Sequence, residues 1–262
     1  MRWELFVALS LASCRGEEVQ PTAIDAAPEA PPADDVTDAR AEACARAHGP
    51  TMVRVDATSA SYCIDTTEVT VGQLNEFLAA PGGPFEAPPF CASFADARPA
   101  RNDAAAEQSL PARNVQWCWA HAYCKWAGKR LCGTIGRSGY DVPSDGRSEW
   151  TFACQNGKLA TRYPYGTAYV ESTCNTTPGS LQSVGAAVDC HGQGAPFDRI
   201  SDMLGNVAEL DGFVGFLAAG EAFTVRSRGW AYGDGAHDCS ERAEYGFGTT
   251  WPQTGFRCCA DP

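Results

Sequence analysis

The sequence predicts an α+β domain that is loop-rich, disulfide-stabilised and poor in regular secondary structure, and three observations carry that prediction. Twenty-six Gly and 17 Pro among 262 residues break up long elements. Thirteen cysteines, far above cytosolic usage, are spread along the chain without a CxxC zinc spacing and read as disulfides of an oxidising compartment. Short β-like runs and short amphipathic segments, each bounded by turn residues, supply strands and helices but no long helix. A 44% hydrophobic composition over this length suits one sizeable domain.

The chain divides into three parts. Residues 1–13 hold one Arg, a short apolar run from Leu5 to Leu9 and small residues ahead of Cys14. That pattern resembles a bacterial lipoprotein signal, cut before a cysteine whose thiol then carries diacylglycerol. The alternative is an ordinary secretory signal, and both send the protein out of the cytoplasm. Setting Cys14 aside as the lipidation site leaves twelve cysteines, an even set that closes up to six bridges. Residues 14–43 form an Ala/Pro/Asp-rich spacer: from residue 15 onward eight acids face Arg15 and Arg40, a net charge of −6, and Val19, Ile24 and Val36 are its only large aliphatics. So little apolar surface cannot fold. The expected partner is therefore a membrane, reached through Cys14, with the domain at 44–262 held off a bacterial envelope. No further run of about 18 apolar residues is present to span a bilayer. A net charge of −12 without any Lys/Arg cluster excludes nucleic acid as a partner.

Within the domain, residues 52–55 and 61–64 read as strands. Thr70 and Gln73 form a capping box for a helix whose Val71, Leu74, Phe77 and Leu78 share one face. Residues 114–128 give the clearest helix, with Trp117, Ala120, Cys124 and Ala127 on the buried side and Gly128 as its stop. Cys118 and Cys124 point to different sides of it, so they take separate disulfide partners. A Gly-rich insertion then leads to a short helix at 148–154, and Cys132 and Cys154 are a candidate bridge across it. Residues 225–230 and 254–259 read as strands, with a loop at 231–252 between them. Adjacent Cys258 and Cys259 alternate faces on a strand and need different partners.

The stretch SDMLGNVAELDG at 201–212 is where chemistry and core coincide. Asp202, Asn206 and Glu209 offer hard oxygen ligands, whereas Met203, Leu204, Val207 and Leu210 demand burial around a tight Gly205 turn. Taken alone, Asn206 reads as a turn cap and Glu209 as the partner of an Arg.

A series of motifs now stands in order: Asp65-x-x-Glu68-Val69-Thr70, Trp117 with Ala122-Tyr123-Cys124-x-Trp126-Ala127-Gly128-Lys129-Arg130-Leu131, Glu149-Trp150, Tyr163-Pro164-x-Gly166, Asp202-Met203-Leu204-Gly205-Asn206-Val207-x-Glu209, Arg226-x-x-Gly229-Trp230 and Gly255-Phe256-Arg257. This series resembles the formylglycine-generating enzyme family, also called the sulfatase-modifying factor domain, over roughly residues 61–260. The resemblance implies a loop-rich variant of the C-type lectin-like fold. It also implies structural calcium, held by the side chains of Asn206 and Glu209 with the carbonyls of Leu204 and Val207; calcium takes six to eight oxygens. A second calcium position is matched only at Asn175 and Thr176, without an Asp downstream.

The family's reaction requires two cysteines five positions apart, binding copper(I) as thiolates after the Arg-Gly-Gly-Ser-aromatic motif. Here Tyr232 and His237 stand at those positions, and Gly229 replaces the serine. Cys239 lies two residues beyond the second position and rescues one cysteine at most. Family members with non-haem iron use three histidines, but His48, His121, His191 and His237 contain no close-spaced pair. No GxSxG is present, and Gly133 to Gly139 lacks the GK[ST] ending of a phosphate loop.

The expectation is a secreted, lipid-anchored domain of this family without the copper cysteine pair, acting as a binding or envelope-interaction module for a protein, peptide or glycan. Calcium is the expected cofactor; copper and iron are not. The alternative is a metal-dependent oxidoreductase, iron or copper, with a substituted site around Tyr232, His237 and Cys239. A purely structural coat protein is a third reading.

Overall fold

Two four-stranded sheets carry the fold of the computed structural model, which describes residues 43–81, 85–137, 139, 147–176, 180–216, 222–228 and 238–262. In chain order the strands are β1 (Met52–Asp56), β2 (Ser61–Asp65), β3 (Arg130–Leu131), β4 (Ala208–Phe216), β5 (Ala222–Arg228), β6 (Arg242–Gly246), β7 (Thr254–Phe256) and β8 (Cys258–Ala260). The first sheet is antiparallel in the order β1-β2-β8-β3. The second runs β6-β5-β4-β7, with β4 and β7 parallel. Long irregular segments join these elements, as the Gly and Pro content predicts.

Helix α1 (Val71–Ala79) begins where its capping box says: Gln73 N donates to Thr70 Oγ1 at 3.2 Å and Thr70 N donates to Gln73 Oε1 at 2.9 Å. Helix α2 (Trp117–Trp126) is capped by the Gln116 side chain, which accepts from Cys118 N. It stops at Gly128, whose φ of 72° belongs to the left-handed region. Its buried surface is wider than the stripe read from sequence and includes Cys118, Trp119, Ala122 and Tyr123. The cause is double coverage, because α1 packs on one side while Leu210, Val214 and Phe256 of the second sheet pack on the other. A second core lies between the first sheet and α3 (Glu149–Cys154), built on Val53, Val55, Tyr62, Ile64, Trp150 and Met203.

Two strand boundaries differ from expectation. The run at 254–259 is not one strand but two, β7 and β8, in different sheets with Arg257 between them. The expected loop at 231–252 contains β6, whose residues alternate only between exposed and half-buried. Such a strand lacks an apolar face, so pairing with β5 defines it rather than hydrophobic periodicity.

All twelve cysteines from Cys44 onward are paired: Cys44–Cys63, Cys91–Cys118, Cys124–Cys258, Cys132–Cys259, Cys154–Cys239 and Cys174–Cys190. Cys14 lies outside the described residues. The candidate Cys132–Cys154 bridge is therefore corrected. Pairing of β3 with β8 sets Arg130 opposite Cys259, and this brings Cys132 within 4.8 Å (Cα–Cα) of Cys259 across 127 residues of sequence. Cys258 and Cys259 do take different partners, one in each core. Non-reducing peptide mapping is expected to recover the Cys132–Cys259 and Cys154–Cys239 peptides and no Cys132–Cys154 peptide. Replacing Cys124 and Cys258 together by Ala opens a bridge spanning 134 residues and is expected to lower unfolding free energy by about 2–5 kcal/mol.

Candidate functional site

The SDMLGNVAELDG stretch enters β4 through a backbone that ordinary residues resist. Asp202, Gly205 and Asn206 have φ values of 58°, 85° and 56°. A Cβ on Gly205 would sit 2.4 Å from the carbonyl oxygen of Asn175, so only glycine lets the two chains approach. Asn206 closes the turn. Its N–H donates to Asn175 O at 2.8 Å, while its Oδ1 accepts from Asn175 Nδ2 and from Gln182 N, each at 3.1 Å. The turn delivers β4 with Glu209 pointing into the interior, where it is 1% exposed.

Glu209 meets Arg257 there. Arg257 Nε donates to Oε2 and a terminal nitrogen donates to Oε1, both at 2.7 Å, and Trp150 Nε1 adds a donor to Oε2 at 2.8 Å. The rest of the guanidinium donates to the carbonyls of Asp65, at 3.1 Å, and Ser201, at 2.9 Å. Asp65 itself holds the Lys129 ammonium at 2.6 Å and accepts from Cys258 N at 2.8 Å. Burial nevertheless pushes the Asp65 carboxyl up to about 6, against the pull of Lys129.

Glu68 completes the cluster. It is fully buried, and neither carboxyl oxygen has a donor among the described residues. Burial first, then the Asp202 and Glu209 carboxylates, raise its pKa well above the usual range. The neighbouring Asp202 carboxylate, itself pushed up by burial, accepts from Gly185 N at 2.5 Å. Three acidic side chains, Glu68, Asp202 and Glu209, thus gather around one guanidinium.

As they stand, Leu204, Asn206, Val207 and Glu209 do not fit a calcium site. Both Glu209 oxygens are engaged by Arg257 and Trp150, Asn206 Oδ1 accepts two N–H groups, and a guanidinium lies where a second cation would have to be neutralised. The ion-pair reading of Glu209 is what the structure contains. Nor does Cys239 offer a thiol: it is buried and bonded to Cys154. Tyr232 and His237 lie outside the described residues. The Asp238 carboxylate, next in sequence after His237, accepts from Arg162 Nε and Ser240 Oγ, both at 2.6 Å.

Among the described residues, the one trio of His, Cys, Asp or Glu side chains at metal-ligating distance is Cys132, Glu149 and Cys259. Its sulfurs form a disulfide, and its carboxylate is gripped by Arg130 at 2.6 and 2.7 Å. The three described histidines have separate surroundings. His48 bonds Glu76, His191 meets a backbone carbonyl, and burial lowers His121 to about 4. The role of Glu68 escaped the sequence reading, although the Asp65-x-x-Glu68 motif was visible: nothing local says that its neighbours are acids from 134 and 141 residues further along.

Glu209→Gln leaves the buried Arg257 charge without its counter-ion and is expected to cost about 3–5 kcal/mol of stability in urea denaturation. For Glu68 the folded pKa lies above the unfolded value near 4.5, so its stabilising contribution is full below the unfolded pKa and is lost as pH rises through the folded one. Glu68→Gln, which never ionises, is expected to flatten the fall in melting temperature as pH rises above the unfolded carboxylate range; an unchanged profile would show that Glu68 does not hold the proton.

The sulfatase-modifying factor enzyme 1-like domain family matches residues 37–262. The formylglycine-generating enzyme of Streptomyces coelicolor is 32% identical over 100 residues, covering 37% of this chain and 28% of its own. The inactive C-alpha-formylglycine-generating enzyme 2 of Mus musculus is 26% identical over 164 residues, 58% of this chain and 49% of its own. The chain thus spans less than half the length of either curated relative. PvdO from Pseudomonas aeruginosa shares the fold, with a TM-score of 0.54 at 19% identity over 81% of this chain and 95% of that one. With its motifs in order and the family matching from residue 37 to its last residue, the chain belongs to the formylglycine-generating enzyme, or sulfatase-modifying factor, family.

Proposed function

We propose that this chain is an extracytoplasmic, lipid-anchored member of the family that has lost the copper thiolates and works as a non-catalytic binding or envelope-interaction module. The observation that carries this reading is the fate of Cys239. It is the cysteine nearest the family's catalytic positions, and it is closed in a buried disulfide with Cys154. A disulfide sulfur is no thiolate ligand for a soft metal, and Tyr232 and His237 occupy the two positions where the family's thiols stand. The mouse relative carries the name of an inactive family member, which accords with such a loss. Six disulfides fit an oxidising compartment, and the signal-like residues 1–13 ahead of Cys14 support lipidation there.

Two measurements test the reading. Incubation of the purified protein with copper(I) and a cysteine-containing sulfatase-type peptide is expected to yield no aldehyde, and formylglycine formed over repeated turnovers would overturn the loss of catalysis. Mass spectrometry of the membrane fraction is expected to find a diacylglyceryl group on Cys14, with Cys14→Ser moving the chain to the soluble fraction; an unmodified Cys14 would remove the anchor.

A further inference from the structure

Strand β1 is the outer strand of the first sheet, and among the described residues no strand lies beside one of its edges. The register shows which amides face that edge. Thr66 N donates to Thr51 O at 2.9 Å and Ala57 N donates to Ala60 O at 3.1 Å, so the bonded pairs of this hairpin fall at Thr51, Val53, Val55 and Ala57. The N–H and C=O groups of Met52 and Arg54 consequently point away from β2. A groove of about 600 Å³ runs along this edge, lined by Met52, Val53, Arg54 and Asp56 on the strand side. Its far wall carries Phe152 and Phe197, whose rings meet at 6.4 Å, together with Lys158 and Arg199.

The far wall is held from behind. The buried Asn156 donates to Thr161 Oγ1 at 2.7 Å and Pro164 O at 2.6 Å, and its Oδ1 accepts from Gln193 N. The groove is also cationic in a chain of net charge −12. Arg54 is paired with Asp56 at 2.8 Å, whereas Lys158 and Arg199 make no side-chain hydrogen bond or ion pair among the described residues.

We propose that this groove is a strand-addition site for an extended, acidic peptide segment of a partner protein. The partner's backbone bonds to the Met52 and Arg54 amides as a fifth strand; its carboxylates meet Lys158 and Arg199, and an apolar side chain rests on Phe152 and Phe197. Main-chain pairing supplies affinity and the alternating side chains supply selectivity. Charge complementarity identifies the partner as acidic: two cations without counter-ions among the described residues flank the outer edge of β1 on a protein of net charge −12. The proposal rests on the reading of the chain as a binding module, yet it fails separately from it, since the peptide titration does not depend on the aldehyde assay.

The test uses the full chain and a labelled eight-residue Glu-Val repeat peptide, read by fluorescence anisotropy. Saturable binding is expected below about 1 mM, weakening at least about tenfold for Lys158→Glu/Arg199→Glu and disappearing when alternate peptide nitrogens are methylated. Circular dichroism of the double variant, in which both substitutions are at exposed sites, confirms that it is folded. Three outcomes overturn the proposal: no saturable binding at about 1 mM, equal binding by the N-methylated peptide, or undiminished binding by the double variant. Binding that emerges only once Asp34, Asp35 and Asp38 are changed to Asn also overturns it, by assigning the groove to the chain's own acidic segment.

Discussion

The pairing of Arg257 with Glu209 is the constraint on which the rest of the structure depends. At Arg257 the chain leaves β7 in the second sheet and enters β8 in the first. A buried junction of this kind exposes backbone carbonyls from several elements to each other without water. Guanidinium is suited to the place because it offers five donors in a fixed plane and stays charged. Its partners come from β4, from the end of β2 and from the segment before the Gly205 turn, and Trp150 of α3 secures the same carboxylate. Burying two charges is costly, and the pair persists because both Glu209 oxygens and all three guanidinium nitrogens have hydrogen-bond partners.

The disulfides reinforce the same junction. Cys258 and Cys259 send β8 to α2 on one side and to the end of β3 on the other. Adjacent cysteines on a strand therefore lock both cores to one three-residue element. In a chain with so few regular elements, such links limit the freedom of the unfolded state and substitute for the hydrogen-bond ladders that longer strands would provide. Using Cys239 in this framework has a chemical consequence, because a sulfur bonded to Cys154 is unavailable as a thiolate.

Much of this was legible in the sequence because it is local. The Thr70/Gln73 capping box, the helix closed by Gly128 and the opposed faces of Cys258 and Cys259 each follow from residues a few positions apart. The family resemblance added the order of motifs. At Asn206 and Glu209 the structure contains the turn bonds and the ion pair that those residues imply when taken alone. Strand β6 was missed because its faces are exposed and half-buried, and the place of β1 at the outside of its sheet could not be seen because an edge is a property of the sheet.

Taken by itself, the sequence determined the fold class, the even set of twelve cysteines beyond Cys14 and the acidic composition of residues 15–42. Composition, short-range periodicity and residue identity suffice for these. Only the tertiary structure decided that Cys132 pairs with Cys259, that Glu209 answers to Arg257 and that Glu68 sits among other acids. Those facts depend on contacts between residues far apart in the chain, and such contacts are set by sheet register and packing, which no local pattern encodes.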